Sequence, residues 1–227
     1  SAVCFYRLLE EKKMNLDLNQ LVKWRREFHR FPEIGWSEFW TTSRIADYLE
    51  DLGCFEIFLG KQIINPDFVR GRKQAVVDKG LANAKAYGAN EKWLEKMEGY
   101  TGCVALFDSG KPGKTIALRF DIDCVNVTET RSSEHIPNKE GFASINDGFM
   151  HACGHDSHIT IGLGVALWIS QNKDKLTGKV KIVFQPAEEG VRGAAAIAQS
   201  GIIDDADYFA SSHISFCANT GTVIANP

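Results

Sequence analysis

Apolar residues recur three and four positions apart over residues 16–30 and again over 36–52, the spacing that lays one face of a helix on a core. Two helices are expected there, separated at Pro32, with Gly53 suited to end the second because glycine enters a left-handed turn without a side-chain clash. The pattern then shortens. Residues 54–59 read as a strand, and residues 66–98 are a polar, charge-mixed stretch of helical composition and modest amphipathicity, expected to form a helical insertion at about 61–99. Apolar runs at 102–107 and 115–120 bracket Asp108-Ser-Gly-Lys-Pro-Gly113, whose turn chemistry predicts a hairpin or tight loop between two adjacent strands. Beyond a loop at about 126–148, residues 157–170 form a mostly buried helix rich in small residues. A strand at 179–184, a helix at 192–200 and strands at 208–214 and 222–225 complete the series. Strands alternating with helices imply an α/β protein, three layers in αβα order around a mainly parallel, mixed central sheet. There is no internal repeat and no low-complexity tract.

Composition narrows the classes. With 227 residues, 44% hydrophobic and 24% charged, the chain can bury one substantial core or two modest ones without disulfide staples. Its 26 basic and 29 acidic residues give a net charge of −3, and no basic run offers a phosphate backbone a landing surface, so nucleic acid is not an expected partner. No apolar run approaches the roughly 18 residues that span a bilayer, and the N-terminus lacks the apolar core of a signal segment. No membrane association is expected. Six cysteines stand singly with no Cys-x-x-Cys pair, which suits a reducing compartment and a cytoplasmic location. Cys4, Cys54, Cys103, Cys124 and Cys217 lie among apolar or strand-like neighbours and read as small hydrophobes. Cys153 is different.

It stands in His151-Ala-Cys-Gly-His155-Asp-Ser-His158, which is followed along the chain by Gln185-Pro-Ala-Glu188-Glu189-Gly and His213. A cysteine, two or three histidines and paired carboxylates are the residue types that hold divalent metal and activate water. Asp121 and Asp123 follow one expected strand, Glu188 and Glu189 a second, and His213 ends a third, while the histidine–cysteine run precedes a helix. Ligands of open α/β sheets lie outside the carboxyl ends of the strands, so these four segments can converge on one crevice. Cys153 and His155, two apart in an extended loop, can share a metal, with Gly154 letting the backbone turn closely and His151 supporting the loop. Any one of these residues alone is more often structural than functional. For His29, His135 and His158 the structural reading is favoured, His158 being an outer supporting residue at most. Asp121 and Asp123 could simply cap a loop; Asp123 is the better candidate for orienting a ligand histidine through its second nitrogen.

His29-Arg-Phe-Pro-Glu33, Arg119-Phe-Asp-Ile-Asp123, Met150-His-Ala-Cys-Gly-His-Asp156, Phe184-Gln-Pro-Ala-Glu-Glu-Gly190 and His213 together resemble the amidohydrolase branch of the co-catalytic metallopeptidases. That branch includes hippurate hydrolases, N-acyl-amino-acid deacylases and plant auxin-conjugate hydrolases. The resemblance implies a zinc-exopeptidase-like catalytic domain, here incomplete, over residues 16–227, with residues 1–15 unplaced. It implies two divalent ions, Mn2+ or Zn2+, with Cys153 bridging them, His155 and Glu189 completing one coordination set and His213 serving the second ion. Glu188 would be the general base of a metal-activated water that attacks an amide carbonyl, and Asp123 would support it. The implied substrate is a small N-acyl or N-aroyl amino acid. Gly141-Phe-Ala-Ser144 and the charged insertion between Gly53 and Tyr100 make p-aminobenzoyl-glutamate, and so folate catabolism, the leading candidate.

Relatives of that branch also carry a lid and dimerisation domain, a further catalytic segment and a last ligand histidine, all expected beyond Pro227. A second subunit or a homodimer formed through that lid is implied. The start on Ser1, with Met14 downstream, is expected to reflect a processed, engineered or misassigned N-terminus. Alternatives are a non-catalytic metal- or partner-binding fragment, and a deacylase or peptidase of the same branch with another substrate. A Cys153 nucleophile paired with His155 is disfavoured, because the surplus ligands would then have no task.

Overall fold

Asp17 begins the first helix by accepting the Asn19 N–H at 2.9 Å in a computed structural model that describes residues 17–215 and 217–224. Helix α1 (Leu18–Arg30) buries Trp24, Phe28 and His29 and stops at Phe31, ahead of the helix-breaking Pro32. Helix α2 (Phe39–Leu52) starts three residues later than its apolar spacing suggests, because Trp36 takes a left-handed conformation (φ 70°) in the connection. It ends at Gly53, also left-handed. Strand β1 (Glu56–Leu59) follows, and the charge-mixed stretch then forms helices α3 (Gln74–Ala86) and α4 (Glu91–Lys96). Their apolar faces join the main core through Val77, Ala84, Trp93, Leu94 and Met97.

The remaining elements are β2 (Cys103–Asp108), β3 (Thr115–Asp121), α5 (Ile136–Lys139), α6 (His155–Asn172), β4 (Lys179–Gln185), α7 (Ala194–Ala198) and β5 (Tyr208–Ser211). They make one mixed sheet in the order β1-β2-β4-β3-β5. The two outer pairings on one side, β1 with β2 and β2 with β4, are antiparallel; β4 with β3 and β3 with β5 are parallel. The predicted hairpin between β2 and β3 does not form. Strand β4 lies between them, Cys103 opposite Phe184 and Asp121 opposite Gln185. The connection after β2 crosses the start of β4 where Gly113 and Gly178 pass in contact: a Cβ on Gly178 would meet the Lys114 carbonyl at 2.2 Å.

Alternation along the strands sends side chains to opposite faces. One face, with Cys103, Ala105, Ile182 and Phe184, packs under α1, α2 and α6 in a core that includes Phe28, Leu49, Ile159 and Leu163. The other, with Val104 and Val183, meets Trp36, Ile63, Ile64 and the α7 residues Ala196 and Ile197. Small residues let α6 lie close, since a Cβ on Gly162 would stand 2.6 Å from the Phe184 ring. Three differences from expectation fall near the C-terminus: α7 is shorter than 192–200, β5 ends at Ser211, and residues 222–224 are irregular, with Ala225 outside the described residues. Among the described residues no helix is long and apolar enough to cross a membrane.

Candidate metal centre

Strands β3, β4 and β5 run parallel, so the residues that leave their carboxyl ends meet along one edge of the sheet. Asp123 follows β3, Glu188 and Glu189 follow β4, and His213 follows β5. His155 is the first residue of α6 rather than part of a preceding loop, and Gly154 before it turns with φ 92°. Only glycine fits there: a Cβ would lie 2.3 Å from Ile214, which belongs to the segment that carries His213.

The expected ligands come together. Cys153 Sγ is 3.4 Å from His213 Nε2, and His155 Nε2 is 3.8 Å from Glu188 Oε2. Cys153, His155 and His213 form one group of donors within 4.8 Å of one another, and His155, Glu188 and Glu189 form another. Ligand bonds of about 2.0–2.3 Å in a tetrahedral set place donor atoms about 3.3–3.8 Å apart, so the 3.4 Å between Cys153 and His213 matches a shared cation. The His155 tautomer is set by its surroundings. Its Nδ1 lies 2.7 Å from the main-chain oxygen of Asp123, which only accepts, so Nδ1 carries the proton and Nε2 presents a lone pair. That Nε2 and the Glu189 Oε1 are both buried without a hydrogen-bond partner. Orphaned acceptors of nitrogen and oxygen beside a thiol are a donor set that a divalent cation fits, since a buried acceptor left unmatched is costly.

Electrostatics agree with that fit. Burial, then the neighbouring Glu189, Glu188 and Asp123, push the Cys153 thiol up to about 11. Burial and then Asp121 raise the Glu188 carboxyl above its ordinary range. The cluster therefore concentrates acidic groups; burial lowers the proton affinity of His155, but Asp123 and Asp121 more than offset this and raise it, and a thiol so placed is a poor nucleophile without a cation beside it.

Asp123 meets His155 from two sides of its own residue: its main-chain oxygen lies 2.7 Å and its carboxylate 3.5 Å from Nδ1. The same carboxylate also accepts the Glu188 N–H at 3.0 Å and the Glu189 N–H at 3.1 Å. His151 is buried with both ring nitrogens unpartnered, and burial pushes it down to about 4. His158 accepts the Ile214 N–H at 3.1 Å on Nε2 and steadies the His213 segment. His29 donates into a separate network: its Nδ1 is 2.8 Å from Asp156 and its Nε2 3.0 Å from Glu129, which His135 also meets at 2.7 Å. Glu38 and Glu129 escaped the sequence reading. The one available signal at Glu38 was an acid set between aromatic residues in Trp36-Ser-Glu-Phe-Trp40. Beside Cys153 and His213 opens a cleft of about 1110 Å³, walled by Phe142, Met150 and His151.

Known proteins share this arrangement of sequence and fold. Residues 117–225 match the model of Peptidase family M20/M25/M40. Over 214 residues the chain is 98% identical to a p-aminobenzoyl-glutamate hydrolase subunit homolog from Haemophilus influenzae, the match covering 94% of this chain and 51% of the relative. Among solved structures, the aminobenzoyl-glutamate utilization protein from Klebsiella pneumoniae superposes with a TM-score of 0.70 at 36% identity, over 87% of this chain and 44% of that one. The YXEP protein of Bacillus subtilis, described as a dinuclear metal binding peptidase from the M20 family, gives 0.64 at 28% identity, over 87% and 43% of the two chains. The chain spans about half the length of the curated relatives it matches.

Proposed function

We propose, from the premise that the chain carries a Peptidase M20 domain over residues 117–225, that it belongs to a dinuclear metal-dependent amidohydrolase acting on N-acyl or N-aroyl amino acids. The observation that carries the reading is the pair of buried, unpartnered acceptors, His155 Nε2 and Glu189 Oε1, facing the same space as Cys153 and His213. Cys153, His155, Glu189 and His213 would hold the ions, Mn2+ or Zn2+. Bound there, divalent cations supply a lowered water pKa and polarisation of the amide carbonyl.

The chain's own residues do the rest. Glu188 is one-third exposed and lies beside the ligands without being buried among them, so it can face both solvent and substrate. Its raised affinity for a proton suits a group that takes one from the attacking water and returns it to the leaving amine. The water oxygen bonds to the acyl carbon, the carbon–nitrogen bond breaks, and a carboxylic acid and an amino acid leave. The adjacent carboxylates divide the work: Glu189 stays ionised on the metal while Glu188 takes up and releases the proton. Asp123 fixes the turn after β4, which is how it contributes to catalysis.

p-Aminobenzoyl-glutamate is the leading substrate, supported by the names of the Haemophilus and Klebsiella proteins and by the cleft beside Cys153, whose Phe142 and Met150 offer an aryl group an apolar wall. The Haemophilus protein's name designates one component of a hydrolase, which supports a second subunit or a homodimer as partner. A role in folate catabolism and a cytoplasmic location go with that substrate in this proposal. The test uses the protein at the length of its relatives. Glu188→Ala should lower kcat on aroyl-glutamates by about 10²–10⁴-fold while metal content by elemental analysis is unchanged. A protein that binds no metal, or a variant with full turnover, sinks the reading.

A further inference from the structure

Three successive main-chain amides after β4 end on carboxylate oxygens. Ala187 N–H donates to Glu38 Oε1 at 2.8 Å, and Glu188 and Glu189 donate to the two oxygens of Asp123 at 3.0 and 3.1 Å. Ala187 itself has φ 51°, a left-handed conformation that an alanine keeps only when its surroundings hold it. The grip comes from the connection between α1 and α2. Gly35 lies so close that a Cβ on it would stand 2.9 Å from the Ala187 Cα, and the Glu33 carbonyl accepts the Cys124 N–H at 2.8 Å, securing the residue after Asp123.

Glu38 is wholly buried at the N-cap position of α2, yet its side chain makes no capping bond to that helix. One oxygen serves Ala187 and the other is hydrogen-bonded to the buried Thr101 hydroxyl at 2.6 Å. No Lys, Arg or His among the described residues forms an ion pair with it. A purely structural acid at that place would cap its own helix or meet a cation; this one reaches 149 positions along the chain to the residue before the general base.

We infer that Glu38 is a positioning residue for the amide hydrolysis, an acid that with Asp123 sets the turn aiming Glu188 at the reacting water and Glu189 at the metal. This rests on the reading of Glu188 as base and Glu189 as ligand. Burial, then the nearby Asp123, push the Glu38 carboxyl up to about 8, so at neutral pH it serves as an uncharged acceptor and needs no counter-ion. A neutral acid offers one acceptor oxygen and one donor, which glutamine reproduces in the same shape and methionine does not.

The experiment compares Glu38→Gln, Glu38→Met and Glu188→Ala in the protein at the length of its relatives, following kcat and KM on an aroyl-glutamate and Mn2+ affinity by titration calorimetry. Glu38→Met should lower kcat by about 10–100-fold and weaken Mn2+ by about tenfold while KM moves less than about threefold, and Glu38→Gln should restore all three to within about threefold. Thr101→Val removes the hydroxyl that holds the second Glu38 oxygen and supplies a second variant should Glu38→Met not fold. Its kcat should drop at constant KM, and unchanged kcat there, or in folded Glu38→Met, overturns the inference. So does a Gln variant as damaged as the Met variant. If Glu188→Ala stays active, the reading of the base fails; if it is dead while Glu38→Met is fully active, only the role of Glu38 fails.

Discussion

On one side of the residues that open α6, Asp156 and Glu129 are matched by Arg25 and His29, and each carboxylate is hydrogen-bonded. On the other, Glu188, Glu189, Asp123 and the Cys153 thiol gather with His155 and leave two buried acceptors without partners. His29 and His155 are both buried, so burial alone does not distinguish a structural histidine from a candidate ligand. The difference is closure. The first network satisfies itself within the chain and holds α1 against the loop; the second leaves His155 Nε2 and Glu189 Oε1 unpartnered beside a thiol and further carboxylates, which makes it the candidate metal centre.

Breaking the closed network should have the largest effect on stability. His29→Phe would leave Asp156 and Glu129 buried without their shared imidazole, and is expected to cost about 3–5 kcal/mol, read as a lower denaturation midpoint in urea. The open cluster should answer to metal instead: adding Mn2+ or Zn2+ at about 100 times its dissociation constant should stabilise the protein by about 2.7 kcal/mol, an increment removed by chelator. If chelator leaves the melting temperature unmoved, the contrast between the clusters collapses.

A pH titration sharpens it further. Although burial lowers the His29 pKa, its hydrogen bonds to Asp156 and Glu129 more than offset this and raise it above the ordinary 6.5. The folded protein therefore keeps a proton that the unfolded chain releases. That contribution to stability is fully present below about pH 6.5 and is lost as pH rises through the raised native value. Thermal melts from pH 6 to 9 should decline in the parent protein and lose that component of the decline in His29→Gln. The smallest effect is expected at Glu189→Gln without metal, where apo stability should stay within about 0.5 kcal/mol while Mn2+ binding is lost. A large apo destabilisation would show that Glu189 is structural after all.

Much of this was legible along the chain, for reasons of range. The two N-terminal helices and their break at Pro32 rest on local spacing and on the rotational freedom of Gly53, so the sequence pattern places them to within a few residues. The insertion of β4 between β2 and β3 is not written in either strand's own sequence, since both are apolar runs that pair equally well on paper; pairing with a segment remote in the chain makes it. Strand β5 is exposed along its whole length, so its alternation had no burial to enforce it beyond Ser211.

The site divides in the same way. Residue chemistry alone singled out Cys153, His155, Glu188, Glu189 and His213, because thiol, imidazole and paired carboxylates are rarely brought so close in sequence without a task. The parallel strand ends do collect them at one edge. What the sequence by itself determined is thus the inventory of donors and the order in which strands deliver them. Only the tertiary structure decided which atoms meet: the Asp123 main-chain oxygen lies 2.7 Å from His155 Nδ1, and Glu38, 149 positions away, accepts the Ala187 N–H in the turn before Glu188. Such assignments depend on distances of a few tenths of an ångström between segments remote in the chain, which packing sets and a linear pattern of residues does not contain.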